Sequence, residues 1–204
     1  MKQVKAKIIA NTRLTAKYFR LIFRDSEIAK AVKPGQFLQV KVADVCQPLL
    51  RRPFGAHQVK GADVVILYEV LGDGTKILSE RKAGEYLDII GPLGNGFSVI
   101  NSKPAIIVAG GMGVAPLLFL AERIRRCQSV RVSKCQNLVL IGTREKQEIL
   151  CEKEFKQLGY EVKVSTDDGS MGHKGKVTEL LKRILLTTYD YLCLRPPFNV
   201  KRGR

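Results

Sequence analysis

The first hundred residues hold short runs in which apolar and polar side chains alternate, the pattern of half-buried antiparallel β-strands. Strands are therefore predicted at residues 4–9, 18–23, 35–43, 63–70 and 86–90. The polar stretch 25–33 predicts a connection that leads into the turn at Pro34 and Gly35. Many short strands separated by turns predict a small antiparallel barrel or sandwich.

After about residue 100, uninterrupted apolar runs alternate with segments of helical period. Strands are predicted at 105–109, 137–142, 161–165 and 189–194, and helices at 116–126, 146–158 and 177–185. This alternation predicts a parallel α/β sheet. The predicted domains are accordingly a barrel over 1–98 and an α/β domain over 99–194, followed by a basic tail over 195–204.

A glycine-rich turn joins the first predicted parallel strand to the helix after it, within AIIVAGGMGVAP at 105–116. Gly110, Gly111 and Gly113 allow a backbone that is too close or too twisted for a Cβ, and Pro116 suits the first turn of a helix. The free amides and the dipole of that helix start predict a phosphate site. A turn that only packs the helix on the sheet is the alternative.

The net charge of +16 favours anionic partners, namely nucleotides, an acidic protein surface or nucleic acid. Lysine and arginine are spread over the chain, only 7% of residues are aromatic and tryptophan is absent. Since no nucleic-acid-binding signature accompanies the charge, nucleic acid is not an expected partner.

The five cysteines are scattered without any C-x-x-C spacing. Neither a disulfide framework nor a ligand set for zinc or iron–sulfur is visible, and no metal site is predicted. The start of the chain has no signal-peptide core, and no apolar run approaches the roughly 18 residues of a membrane span. The expected location is the cytoplasm, with no membrane span.

Three further motifs precede the predicted boundary: RRPFG at 51–55, LYEVLGDGT at 67–75 and GPLGNGF at 91–97. The two guanidiniums of the first, predicted to close a strand, suit a pyrophosphate, and its Phe54 could lie near a ring system. The second predicts a short helix over 75–80 whose amides face a phosphate. An exposed arginine pair, a surface turn and an ordinary linker are the structural alternatives.

Taken in order, these motifs resemble the ferredoxin-NADP reductase-like flavoproteins. PLLRRPF, GPLGNGF, AGGMGVAPLLFLA and TDDGSMGHKG are most similar to the electron-transfer subunits of NAD-linked dihydroorotate dehydrogenases, and the resemblance covers about residues 4–192. It implies a six-stranded-type antiparallel FAD-binding barrel followed by a doubly wound parallel NAD-binding domain. The implied chemistry is hydride transfer between nicotinamide and flavin, which needs no side-chain acid or base.

The resemblance also implies which residues bind the cofactors. For FAD, the implied contacts to the flavin and the pyrophosphate fall on Arg52, Pro53, Phe54 and Gly55. Positions beside the flavin fall on Leu67, Tyr68 and Glu69, and positions at its phosphates on Gly74 and Thr75. For NAD, the implied residues are Gly110, Gly111, Gly113 and Pro116 at the turn, with Thr143 and Arg144 after the second parallel strand.

Several positions stay open under this resemblance. Gly55 stands where the family usually has serine, which removes a hydroxyl donor to the flavin. Arg144 is either a contact to adenosine phosphate or a solvated arginine, and at Asp167 and Asp168 a capping turn is favoured over a ribose contact. No catalytic residue is predicted, so His57 is placed near the flavin edge or the surface, and a turn is predicted at His173.

By resemblance, the partner is a catalytic dehydrogenase subunit that oxidises dihydroorotate to orotate in pyrimidine biosynthesis. A ferredoxin- or sulfide-linked NAD(P)H reductase subunit and a truncated, non-catalytic remnant are the alternatives. The family also has a 2Fe-2S cluster held by four cysteines after a Y-A-C-G-P segment, whereas here YDYL is followed by CLRPPFNVKRGR. We therefore expect the cluster ligands to be absent and the C-terminus to be truncated or frame-shifted.

Overall fold

The computed structural model describes residues 1–43, 49–99, 105–128 and 137–185, together with the backbone of 192–193. These residues form two compact units. The first contains Met1–Val99 and Met112–Arg123, and the second contains the other described residues. The domain boundary between residues 98 and 99 stays a prediction, and the tail at 195–204 lies outside the described residues.

Six antiparallel strands close into a barrel in the first unit. They are β1 (Lys2–Arg13), β2 (Tyr18–Arg24), β3 (Phe37–Lys41), β4 (Arg52–Lys60), β5 (Asp63–Glu69) and β6 (Tyr86–Leu93), in the order β1-β2-β5-β4-β3-β6. Closure comes from β1, which pairs with β2 on one side and with β6 on the other. Of the two architectures that the alternating pattern allows, the barrel is confirmed.

Alternate residues of the strands point into the barrel and make its core. Ile8, Leu21, Phe23 and Ile89 are fully buried there, as the period-two pattern predicts. Two short helices, α1 (Ser26–Ala31) and α2 (Asp73–Glu80), complete the barrel region.

Two parts of the barrel differ from the sequence-based prediction. The polar connection at 25–33 contains α1, which begins where the Asp25 carboxylate accepts a hydrogen bond from the Ile28 amide at 2.8 Å. The RRPFG motif opens a strand and does not close one, because β4 starts at Arg52. The alternation that would mark β4 is lost because Ala56, His57 and Gln58 are all buried.

The second unit is built on a parallel sheet of β7 (Ala105–Gly110), β8 (Leu138–Thr143), β9 (Glu161–Thr166), β10 (His173–Lys174) and β11 (Leu192–Cys193). The strand order is β10-β9-β8-β7-β11, so the order along the sheet reverses at β7. This reversal confirms the doubly wound parallel arrangement. Helix α3 (Val114–Cys127) follows β7, α4 (Glu152–Gln157) follows β8, and α5 (Val177–Leu185) follows β10.

Helix α5 packs on the sheet through an apolar face. Ile184 and its neighbours Leu180 and Leu181 lie in one cluster with Ile106 and Leu140 of the strands. The predicted bounds of α5 are confirmed. None of the helices in the described ranges is long and apolar enough to span a bilayer.

The single helix predicted over 146–158 is wrong. A short 3₁₀ turn over Lys146–Glu148 is separated from α4 by Ile149, Leu150 and Cys151. Leu150 is buried, and Cys151 has a φ of 63°, in the left-handed region that interrupts a helix. The turn predicted at His173 is replaced by the short strand β10.

The Arg51–Asp88 pair gives a prediction for the pH dependence of stability. The hydrogen bond from Arg51 holds the pKa of Asp88 below its usual range. Because the pKa is depressed in the folded protein, the stabilisation is complete above the unfolded pKa of about 3.9 and is lost as the pH falls through the lower folded value. We expect Asp88→Asn to lower the free energy of unfolding by about 1–2 kcal/mol at pH 7, measured by urea titration.

The matched control is Asp63→Asn, which removes the carboxylate from the more exposed Arg24–Asp63 pair. Water screens that pair, so its effect should be the smaller of the two. The difference between the wild type and Asp88→Asn should shrink toward pH 3. An equal loss for both variants, or a loss at Asp88 that is independent of pH, would contradict the role assigned to Arg51.

Candidate functional site

Arg52 and Gly74, which are 22 positions apart in the sequence, come together on the barrel. Gly74 is buried in the first turn of α2, and a Cβ on it would lie 2.7 Å from Arg52 Nε. The guanidinium therefore occupies the space that any larger residue at position 74 would fill. Arg52 Nη1 also donates to the carbonyl oxygen of Leu50 at 2.5 Å.

The neighbouring arginine has a different task. Arg51 donates to the carbonyl oxygen of Asp88 at 2.7 Å and to its carboxylate at 2.8 Å, and Gln3 donates to the same carboxylate. By contrast, Arg52 forms no ion pair with any residue in the described ranges. Of the two guanidiniums, the one at position 52 is thus available to bind an anion, next to the start of a helix.

The first turn of α2 is organised by Thr75. Its hydroxyl oxygen accepts from the amides of Leu71 at 2.9 Å and Gly72 at 3.2 Å, and the hydroxyl donates to the Gly72 carbonyl at 3.0 Å. The side chain predicted to lie at the phosphates is therefore used to hold the turn. The amides of Asp73 and Gly74 lie within the first turn, where a helix leaves its N–H groups without intrahelical partners.

Two aromatic rings of the predicted flavin site lie in the barrel core. The rings of Phe54 and Tyr68 are 5.6 Å apart, and Phe19 stacks on Tyr68 at 5.7 Å. The Tyr68 hydroxyl donates to Asn11 Oδ1 at 3.1 Å, and burial raises the pKa of Tyr68 to about 12. These rings shape the strands beside Arg52 from within the barrel.

The other residues predicted for the FAD site lie on β4 and β5. Leu67 is buried, Pro53 is exposed and Gly55 is half-buried. Glu69 Oε1 forms an ion pair with Lys17 Nζ at 3.2 Å. The structure thus brings Arg52, Gly74 and Thr75 to one place and spreads the remaining residues over the adjoining strands.

The glycine turn after β7 lies where the order of the parallel sheet reverses. Gly110 ends β7, the 3₁₀ turn Gly111–Gly113 follows, and α3 begins at Val114. Gly111 has a φ of 49°, and a Cβ on Gly110, Gly111 or Gly113 would meet no described atom within 4 Å. The space over this turn is open, and ligands of doubly wound sheets bind outside the carboxyl ends of the strands at the reversal.

Thr143 and Arg144 lie at the same edge, at the carboxyl end of β8. Gly110 and Gly142 are register partners, as are Thr143 and Thr166. The Thr143 hydroxyl donates to the Glu145 carbonyl at 3.0 Å, whereas the Arg144 side chain is exposed. The edge thus presents an arginine beside the glycine turn.

The neighbouring loop is a tight turn. Asp168 Oδ1 accepts from both the amide of Ser170 at 2.9 Å and its hydroxyl at 2.7 Å. These hydrogen bonds hold the pKa of Asp168 below its usual range. The capping turn favoured from the sequence at this position is confirmed.

Sequence reasoning assigned no role to His57 and did not single out Gln58. His57 is only 3% exposed, so of the two places predicted for it the surface is wrong and the flavin edge stays a prediction. Gln58 donates to Glu122 at 2.7 Å. The signal that could have found them is the loss of apolar–polar alternation in AHQV, which is typical of a β-bulge.

Within the described residues, no group of three or more histidine, cysteine or acidic side chains could hold a metal ion. Cys46, Cys135 and the side chain of Cys193 are outside the described part of the chain.

Comparison with solved structures supports the architecture. The chain aligns with the NADH-dependent reduced ferredoxin-NADP oxidoreductase at a TM-score of 0.77 and 24% identity, covering 91% of this chain and 64% of that one. It aligns with a ferredoxin NADP+ reductase from Neisseria gonorrhoeae, solved with FAD and NADP, at a TM-score of 0.73 and 18% identity, covering 93% and 82%. These likenesses show the fold of a ferredoxin reductase.

Comparison with curated proteins gives the family, although no protein-family model matches the chain. The chain is 39% identical over 195 residues to the dihydroorotate dehydrogenase B (NAD(+)) electron transfer subunit of Desulforamulus reducens, covering 92% of this chain and 72% of that protein. It is 37% identical over 185 residues to the same subunit of Caldanaerobacter subterraneus subsp. tengcongensis, covering 90% and 68%. The chain therefore belongs to the family of dihydroorotate dehydrogenase B electron transfer subunits.

Proposed function

We propose that the chain is the FAD-containing electron transfer subunit of an NAD-linked dihydroorotate dehydrogenase, and that it passes electrons between NAD(H) and a catalytic partner subunit. The observation that carries this proposal is the meeting of Arg52 with the glycine start of α2 on a closed six-stranded barrel. Family membership at 39% identity supports the same assignment.

The residues at the barrel fit a pyrophosphate. Arg52 offers two guanidinium N–H edges to its oxygens, and the amides at the start of α2 add neutral donors and the positive end of a short helix dipole. Gly74 leaves the space that the guanidinium needs. Arg52, Gly74 and the adjoining strand residues Pro53, Phe54 and Gly55 would hold FAD, with Leu67, Tyr68 and Glu69 on the neighbouring strand.

The residues at the sheet edge fit a nicotinamide dinucleotide. The open glycine turn at Gly110, Gly111 and Gly113 leads into the first turn of α3, which contains Pro116, and offers backbone amides to a diphosphate. Thr143 and Arg144 lie one strand away, and the exposed Arg144 side chain would bind a phosphate of the adenosine half. NADH is the proposed form because both relatives compared above carry NAD(+) in their names.

FAD, when bound, supplies a ring that accepts a hydride from the nicotinamide and passes two electrons on. This step needs no proton donor from a side chain. The task of the chain is therefore to hold the two cofactors and to exclude water. Over the whole reaction NADH, a proton and orotate give NAD+ and dihydroorotate, or the reverse, and the partner subunit handles the pyrimidine.

The proposal is tested first by anaerobic spectroscopy of the purified full chain. We expect visible flavin bands that bleach when NADH is added, because both nucleotide sites are on this chain. The bands should return when the catalytic dihydroorotate dehydrogenase subunit of the same organism and orotate are added together. Orotate without that subunit is the control and should change nothing.

A chain that stays colourless after FAD is supplied would contradict the FAD site. Flavin that bleaches with NADH but is reoxidised by ferredoxin and not by the subunit with orotate would assign the chain to a ferredoxin-linked reductase.

Gly74→Ala gives a sharp test of the proposed pyrophosphate site. The added methyl group would lie 2.7 Å from Arg52 Nε and displace the guanidinium. We expect FAD affinity to fall roughly tenfold, as for the loss of one charged hydrogen bond, measured by quenching of FAD fluorescence. Gly72→Ala is the matched control, because position 72 has extended backbone and open space around it. Equal affinities for the two variants would contradict this placement of the pyrophosphate.

A further inference from the structure

Strand β4 carries a bulge directly after the residues proposed to hold FAD. Ala56 pairs with Ile66 and Gln58 with Val65, so His57 is the extra residue between two paired neighbours. A bulge re-aims the side chain that it carries. Here it turns the imidazole away from the ladder and toward α3.

His57 holds the first turn of α3. Its Nδ1 lies 2.5 Å from the carbonyl oxygen of Ala115, and because a carbonyl can only accept, Nδ1 carries the proton and donates. The imidazole is buried, so this hydrogen bond is protected from water.

One more hydrogen bond and one close approach join the same helix to the same strand. Gln58 Nε2 donates to Glu122 Oε1 at 2.7 Å, and a Cβ on Gly55 would lie 3.3 Å from Pro116 Cβ. Ala115 and Glu122 are seven residues apart, which places them on one face of α3. Between them Phe119 packs against the barrel core.

Helix α3 is also the helix that follows the glycine turn. Gly113 directly precedes it, and Met112–Arg123 belong to the same compact unit as the barrel. Strand β4 therefore begins with the proposed FAD residues, at 52–55. His57 and Gln58, farther along the same strand, hold the helix of the proposed nicotinamide site.

We propose that His57 is a positioning residue for hydride transfer: through the Ala115 carbonyl it fixes the first turn of α3, and with it the end of the nicotinamide-binding turn, to the FAD-binding strand. The inference rests on the proposed function. Hydride transfer requires reacting atoms held roughly 3–3.5 Å apart, and a displacement of about 1 Å costs up to 100-fold in rate. A buried hydrogen bond at the helix start is suited to prevent such a displacement.

The test compares three variants of the full chain. His57→Leu removes the donor at similar volume, and His57→Asn keeps an N–H where Nδ1 stands. Val59→Ala is the control for lost stability, because Val59 packs on the barrel core two positions along the strand. The measurements are FAD affinity, the limiting rate of anaerobic flavin reduction by NADH, and amide hydrogen exchange in peptides covering residues 112–122.

We expect His57→Leu to lower the limiting rate roughly 10- to 100-fold with FAD affinity changed less than about twofold, and to speed exchange in the first turn of α3. His57→Asn should recover most of the rate, and Val59→Ala should leave both the rate and the local exchange near those of the wild type. A His57→Leu variant that behaves like Val59→Ala in rate and exchange would overturn the inference.

The two proposals can fail separately. If the wild-type chain holds no flavin or is not reduced by NADH, the proposed function is wrong, and the exchange data still decide whether His57 fixes α3. If the wild type is reduced by NADH but the His57 variants match Val59→Ala in rate and exchange, the function stands and the positioning role is wrong.

Discussion

Closure of the barrel is the constraint on which the proposed FAD site depends. Because β1 pairs with both β2 and β6, no strand of the barrel has a free edge, and the register of β4 between β3 and β5 is fixed. That register places Arg52, the first residue of β4, at the rim of the barrel. The start of α2, which follows β5, forms the same part of the rim. The guanidinium can approach the helix there because position 74 has no side chain.

The two adjacent arginines show how burial and pairing divide one motif into two tasks. Arg51 is held by the carboxylate and the carbonyl of Asp88, and it joins the segment before β4 to β6. A guanidinium with its charge neutralised in this way contributes little to binding an anion. Arg52 has no ion-pair partner among the described residues, so its charge is open to the proposed ligand.

Much of the fold was predictable from periodicity. Five of the six barrel strands, the parallel sheet and α5 follow from runs such as YFRLIF and DVVILYE, in which alternation or continuous apolarity reports burial directly. Strand β4 was not, because its bulge at His57 and its cover by α3 remove the alternation. The break before α4 was not predictable either, because a cysteine gives no indication that residue 151 adopts a left-handed conformation.

The candidate site was predictable only in part. Glycine turns and paired arginines are typical of phosphate-binding sites, so Gly110, Gly113 and Arg52 were named from their motifs, and their contacts to a phosphate stay a prediction. The use of Thr75 to hold its own helix, and the burial of the Tyr68 ring, depend on tertiary contacts between distant residues. The contact of His57 with Ala115 spans 58 positions, and no local pattern encodes it.

Binding of the FAD pyrophosphate at the rim formed by Arg52 and the start of α2 is the central proposal. A crystal structure of the full chain with FAD tests it most directly. We expect a phosphate oxygen within hydrogen-bonding distance of the Arg52 guanidinium and of the amide of Asp73 or Gly74. A pyrophosphate bound elsewhere, with Arg52 still directed to Leu50 alone, would contradict it.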